Sequence, residues 1–175
     1  MIICIEGPDG AGKSTLVNYL VEKGMTKIHS NSETKNDLDY HLSLLDEDGV
    51  VLDRANLGEI VYPAIYNREP KMSWDDQIDF MNACMDRKVL YIIFYASNFE
   101  TLKERLFKRG DTEQVLENAE KINLAFRILA EEFSALYDNV FALDISKVDD
   151  QIQFCEDSLQ KYLEILTKEQ VNYGR

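Results

Sequence analysis

The chain has 175 residues, of which 45% are hydrophobic and 29% charged, and its formal net charge is −13. That length suits one domain over 1–175 with a substantial core. The acidic balance argues against a nucleic-acid binder and against docking on an anionic membrane, since both need a basic field.

Cys4, Cys84 and Cys155 are widely spaced, with no C-x-x-C pair. They fit reduced thiols in the cytoplasm, and exclude a disulfide framework or a zinc site. The N-terminus runs straight into the apolar Ile2-Ile3-Cys4-Ile5, leaving no room for a signal peptide, and no apolar run approaches membrane-spanning length.

In chain order, Ile2 to Ile5 reads as a buried strand. Gly7-Pro8-Asp9-Gly10-Ala11-Gly12-Lys13-Ser14-Thr15 then matches the P-loop pattern G-x-x-x-x-G-K-[ST] in full, and residues 16–21 read as the helix behind it. Glycines let the loop curl so that successive N–H groups face phosphate oxygens. The helix N-terminus adds unpaired donors and its positive dipole end. Lys13 can reach the β- and γ-phosphates, and the Ser14 hydroxyl can take a place on Mg²⁺. Gly24 ends the helix, and Thr26 to His29 reads as a short second strand. Residues 37–48 read as a helix capped by Asp37, with Leu38, Leu42 and Leu45 at helical spacing. Val50-Val51-Leu52-Asp53-Arg54 is an apolar strand ending in a charged pair.

Residues 58–68 are helical in pattern but contain Pro63, which predicts a kink or break near Tyr62. Ser73 caps a helix over about 74–87 with Ile78, Phe80, Met81, Cys84 and Met85 on its apolar face. Val89 to Tyr95 is apolar throughout, as a central parallel strand should be. Asn98 caps a helix ending near Arg109-Gly110. A polar stretch from Asp111 to about Leu116 gives no clear element, and a short lid is expected at about 108–118. A long helix follows from about Glu117 to Tyr137, then a strand over 140–145 and a closing helix over 149–168. Strands alternating with helices predict an α/β fold: a three-layer α/β/α sandwich on a five-stranded parallel sheet, of the P-loop kinase type. Ligands of such sheets gather at the carboxyl ends of the strands.

Asp53 stands where an acid orients Mg²⁺, or else caps the following helix. Arg54 can hold a second phosphate with its fork of donors, or serve in a structural salt bridge.

Glu6 to Thr15 resembles the first motif of thymidylate kinases, with an acidic residue inside the P-loop, and Asp53-Arg54 resembles that family's Asp-Arg motif. The segment 102–110 resembles the approach to its lid, and 143–148 is similar to its loop beside the donor base. The resemblance implies ATP and Mg²⁺ as cofactors, a nucleoside monophosphate such as dTMP or another dNMP as acceptor, and often a homodimer. It casts Lys13, Asp53 and Arg54 as catalytic; with no lid arginine, Arg105 and Arg109, four apart on one helix face, are the nearest catalytic cations, or else a solvated basic face. Gly7, Asp9, Gly10, Ala11, Gly12, Lys13, Ser14, Thr15 and Lys147 would hold the donor, and Ser14 and Asp53 the metal. Asp9, Arg54, Glu59, Tyr62 and Tyr66 would hold the acceptor. Trp74 is a further aromatic candidate for the base, Tyr40 a weaker one, and Arg127 a further cation for a closing lid. His41 is set aside as a packed or surface residue.

The chain also departs from that family. It is shorter between Thr15 and Asp53, and it has no Arg in the P-loop or between Gly110 and Arg127. These departures leave the acceptor base open and point to compact, phage-encoded relatives acting in the host cytoplasm. A monophosphate oxygen is already anionic and needs no strong base. The alternative, a deoxynucleoside kinase acting on a 5′-hydroxyl, would want a Glu near the end of the second strand, where only Glu33 stands. A non-catalytic nucleotide-binding protein is a second alternative. A GTP switch lacks both its Asn-Lys-x-Asp and its D-x-x-G.

Overall fold

The computed structural model describes residues 1–31, 33–111 and 113–173. Five strands form one sheet: β1 (Ile2–Glu6), β2 (Thr26–His29), β3 (Val50–Asp53), β4 (Leu90–Tyr95) and β5 (Val140–Asp144). Their order is β2-β3-β1-β4-β5, and every pairing is parallel. β1 and β3 are buried at every position and β4 at all but the last, because helices cover both faces. β2 lies at an edge and is mostly exposed, which is why its sequence carries little apolar signal.

Among the described residues seven helices complete the layers: α1 (Lys13–Glu22), α2 (Leu38–Leu44), α3 (Gly58–Tyr66), α4 (Trp74–Asp86), α5 (Phe99–Arg109), α6 (Glu113–Leu136) and α7 (Gln151–Tyr173). Alternate side chains of each strand serve opposite faces. Ile3, Ile5, Val51, Ile92 and Phe94 pack with Leu16, Leu102, Leu106 and Tyr162 of α1, α5 and α7. Ile2, Cys4, Leu52, Tyr91 and Ile93 pack with Leu44, Val61, Phe80 and Phe126 of α2, α3, α4 and α6. The expected three-layer α/β/α sandwich on five parallel strands is therefore the fold.

Several elements differ from expectation, the closing helix among them, which spans Gln151–Tyr173 instead of 149–168. No break interrupts α3 near Tyr62. The helix runs through Pro63, which is buried with Val61, and closes on Asn67 in the left-handed conformation. Proline in a helix interior removes one hydrogen bond and costs about 3 kcal/mol; here burial of the same face holds the turn. α2 stops at Leu44, short of 48, although Asp37 caps it as expected, accepting from Tyr40 N at 2.9 Å. α6 starts at Glu113, earlier than the first regular apolar positions suggest. α5 reaches Arg109, so the segment expected as a lid is largely helical, and its position 112 lies outside the described residues. Ser73 and Asp76 form a capping box on α4, and Asn98 caps α5. No helix among the described residues is long and apolar enough to cross a membrane.

Candidate functional site

β1 delivers the P-loop onto the N-terminus of α1. Gly7, at φ 141°, passes so close to β4 that a Cβ would stand 2.7 Å from the Phe94 carbonyl oxygen. Gly12 adopts φ 95° at the helix N-cap, a left-handed conformation that favours glycine. Lys13 is 6% exposed, and its ammonium donates to Gly7 O at 2.8 Å and Pro8 O at 2.7 Å. Burial, and then the charge of Arg54, lower its pKa to about 8. Ser14 and Thr15 are exposed on the first turn of α1. The Ala11 carbonyl accepts from Arg105 at 3.3 Å and from Gln151, the first residue of α7, at 3.0 Å.

A cleft of about 290 Å³ opens over this loop, lined by Asp9, Gly10, Gly12, Lys13 and Ser14 together with His29, Asp53, Arg54, Arg105 and Arg109. Arg105 and Arg109, four apart on α5, face it as their spacing predicts. Arg109 also holds Asp111 through two bonds of 2.6 and 2.8 Å. Lys147 pairs with Asp144 at 3.2 Å, and Arg127 with Glu131 at 2.8 Å; neither lines this cleft.

Asp53 ends β3 beneath the loop. Its Oδ2 accepts from Lys27 at 2.6 Å and meets His29 Nδ1 at 3.0 Å, both on the paired strand β2. Burial pushes the Asp53 carboxyl up, but Lys27 and His29 outweigh it and hold the group below its ordinary value.

Arg54 takes φ 73°, unusual for a side chain other than glycine. This turns its guanidinium toward Asp9, with which it pairs, and over the Tyr62 ring at 5.4 Å. The loop that follows is pinned from below by Glu6. This carboxylate is 1% exposed, and its Oε1 accepts from the amides of Ala55 (2.8 Å), Leu57 (3.0 Å) and Gly58 (3.4 Å). α3 has no side-chain cap of its own; Glu6 fills that place across the sheet, where a carboxylate suits a helix N-terminus. Burial raises the pKa of Glu6 against the opposing pull of those amides, Arg54 and Lys13.

A second, larger cleft of about 530 Å³ lies on the other side of Arg54, and Arg54 and His29 line both. Glu59, Tyr62 and Tyr66 of α3 form one wall, with the two tyrosine rings stacked at 6.4 Å. Glu59 accepts from Asn36 at 3.2 Å and from the Lys71 amide at 3.2 Å. Trp74 lies elsewhere. It stacks on Phe133 and lines a 250 Å³ cleft next to Ile60, Pro63 and Ala64, the face of α3 turned away from Tyr62 and Tyr66. Tyr40 packs against the core, and His41 is fully buried between Tyr40 and Phe80.

The sequence reading missed Lys27, His29, Ser30, Asn31, Asn36 and Arg68, all of which serve Asp53 or line the larger cleft. His29 and Ser30 stand at the carboxyl end of β2, so the rule that parallel sheets bind ligands there could have found them. Among the described residues no group of three or more His, Cys, Asp or Glu is placed to hold a metal ion.

No protein-family model matches the chain. No curated protein matches it either. Among solved structures, the chain is similar to the YorR protein of Bacillus subtilis in complex with phosphorylated GDP, with a TM-score of 0.70 and 19% identity over 100% of this chain and 99% of that one. It is also similar to deoxyadenosine kinase from M. mycoides with bound dATP, with a TM-score of 0.57 and 22% identity over 91% of this chain and 99% of that one. The same kinase with bound dCTP gives a TM-score of 0.56 at 22% identity over 91% and 99%. At these identities the likeness is one of fold, and the fold is that of P-loop kinases.

Proposed function

We propose that the chain transfers the γ-phosphoryl group of ATP to the phosphate of a nucleoside monophosphate, a deoxynucleotide such as dTMP or another dNMP, giving the diphosphate. The observation that carries this reading is the position of Arg54, which lines both the P-loop cleft and the larger cleft beside it. A guanidinium there faces a donor phosphate on one side and an acceptor phosphate on the other, with the bidentate geometry phosphates favour. The larger cleft, at about 530 Å³, has room for a nucleotide, and the stacked Tyr62 and Tyr66 offer an aromatic wall to a base.

In this scheme an anionic oxygen of the acceptor forms a bond to the γ-phosphorus while the bond to the bridging oxygen of ADP breaks. No proton has to be taken up by the protein. Catalysis then asks for positioning and positive charge. Lys13 leaves the Gly7 and Pro8 carbonyls for the β- and γ-phosphates, and Arg105 and Arg109 supply cations from α5. Asp9 orients Arg54.

The donor set also fits Mg²⁺. Ser14 and Asp53 line one cleft as hard oxygen groups, Asp53 Oδ1 takes no hydrogen bond among the described residues, and Mg²⁺ keeps most of its shell as water and substrate phosphate. Bound there, the ion would neutralise charge on the transferring group.

The carboxylates of the two clefts support a monophosphate acceptor over a nucleoside. Asp9 is paired with Arg54, Glu59 is held by Asn36 and Lys71, and Asp53, though its Oδ1 is open, is kept ionised and weakly basic by Lys27 and His29. A hydroxyl acceptor would need one of them as a base. The test is a screen of the common nucleoside monophosphates and nucleosides with ATP and Mg²⁺ in a coupled assay for ADP. Turnover of monophosphates is the expected result. Turnover of deoxynucleosides alone would make the chain a deoxynucleoside kinase, and none with any acceptor would leave a nucleotide-binding protein without this activity.

A further inference from the structure

Asn36 sits between β2 and α2 and is only 4% exposed, yet it lines the larger cleft. Its backbone takes φ 50°, a left-handed conformation that asparagine tolerates better than most residues. Its Nδ2 donates twice, to Asn31 O at 2.7 Å and to Glu59 Oε1 at 3.2 Å. Both partners are acceptors only, so the amide cannot be turned over without setting Oδ1 against two oxygens. Glu59 is itself held from the far side by the Lys71 amide. The amide is therefore locked with Oδ1 as its remaining atom, and Oδ1 has no partner among the described residues. Ser30, 3% exposed on the same cleft, likewise has an unpartnered Oγ, and its amide is tied to Asp53 O at 3.2 Å.

A buried carbonyl oxygen with no partner is rare and unfavourable, and such atoms in a cleft ask for a donor. From these contacts, and resting on the nucleotide-kinase reading above, we infer that Asn36 is a specificity-determining residue that accepts a hydrogen bond from the nucleoside part of the acceptor. An ionised phosphate has only acceptor oxygens and belongs at Arg54, so the group that meets Asn36 Oδ1 comes from further along the same molecule. It is an O–H of the sugar or an N–H on the edge of the base. The Ser30 hydroxyl, able to donate or accept, can serve the neighbouring atom in either case.

The experiment is equilibrium binding by calorimetry. dTMP, dGMP, dCMP and dAMP are titrated into the full chain, and the tightest is compared with two analogues: its 3′-deoxy counterpart and the counterpart whose base-edge N–H is removed, by methylating a ring nitrogen or dimethylating an exocyclic amine. One analogue should bind the wild-type protein about tenfold more weakly or worse. Loss with the first assigns the donor to the sugar, and loss with the second assigns it to the base. Asn36→Ala should bind the parent more weakly and erase most of the difference between parent and analogue, while Asn36→Ser provides a second variant should the alanine form fail to fold. The inference is overturned if neither analogue loses affinity for wild type, or if the loss is the same in the variant. Because binding is read directly, such a result leaves the kinase reading standing. Monophosphates that bind with this dependence and are never phosphorylated would sink the kinase reading alone, and binding by none of the four would overturn both.

Discussion

Under the proposed function, replacing Arg54 by alanine should separate acceptor use from donor binding. The guanidinium lines both clefts, pairs with Asp9 and lies 5.4 Å from the Tyr62 ring centroid. A hydrogen bond to a charged partner contributes about 1.5–3 kcal/mol, and a guanidinium fork can make two with one phosphate. Removing that fork should therefore take about 3–4 kcal/mol from acceptor binding in the transition state, or roughly 10²- to 10³-fold in kcat/KM for the monophosphate. ATP affinity rests mainly on the loop amides and Lys13 and should change by less than about tenfold. The fold should tolerate the change. The half-buried cation–π contact and the Asp9 ion pair together are worth about 1–2 kcal/mol, so the melting temperature should fall by about 2–8 °C in a chain of this size. The assay is steady-state turnover with the monophosphate varied at saturating ATP, alongside calorimetric titration of ATP. Arg54→Lys keeps the charge but not the fork, and should recover only part of the loss. Equal loss of ATP affinity and acceptor use would refute the assignment of Arg54 to the acceptor phosphate.

Three further outcomes follow from the same geometry. Glu6→Ala leaves the Ala55, Leu57 and Gly58 amides without their acceptor and should lower stability by about 3–4 kcal/mol, read as a fall of roughly 10 °C in thermal denaturation, whereas Glu6→Gln retains an oxygen and should lose much less. Burial lowers the Lys13 pKa to about 8, whereas phosphates would draw it back up, so ATP binding above pH 8 should take up a proton and weaken as pH rises. Titrations in buffers of different ionisation enthalpy should show that uptake, and Lys13→Met should abolish it. His41 is held neutral by burial, with its pKa lowered to about 4 from an ordinary 6.5. Between those values the unfolded chain binds the proton and the folded chain does not, so stability should drop by up to about 3 kcal/mol as pH falls from 6.5 to 4, and denaturant midpoints of His41→Leu should lack this component.

What could be read from the sequence was what local pattern encodes. The P-loop is contiguous, and its flanks carry their own strand and helix signals, so Gly7 to Thr15 could be placed without tertiary information. β3 and β4 are buried on both faces and show as unbroken apolar runs. The partners of Asp53 were not legible, because they depend on the register that sets His29 of β2 opposite Asp53 of β3. Trp74, like Tyr62 and Tyr66, follows Asp53-Arg54, which makes all three equal candidates in the sequence. Nothing in the sequence tells which side of α3 each residue will occupy, and the fold puts Trp74 on the other side. Asn36 carries no motif at all. Its significance comes from a left-handed turn and two acceptors, Asn31 and Glu59, that only folding brings together.

The two clefts share one frame, and that frame is made by the ends of three adjacent strands. Glu6 closes β1 and holds the first turn of α3, the helix that walls the larger cleft. Asp53 closes β3 and holds His29 and Lys27 of β2, with His29 lining both clefts. Arg54 projects between them and is fixed by Asp9 of the P-loop. The start of the P-loop is therefore tied to α3 by two short routes of contact, Glu6 beside it to the helix N-terminus and Asp9 through Arg54 to Tyr62. Neither route passes through a long flexible side chain bearing no other contact. Under the proposed transfer, which depends on bringing two phosphates into line, those ties would set donor and acceptor geometry together. Substitutions at Glu6 should accordingly disturb acceptor use even though its side chain lines neither cleft.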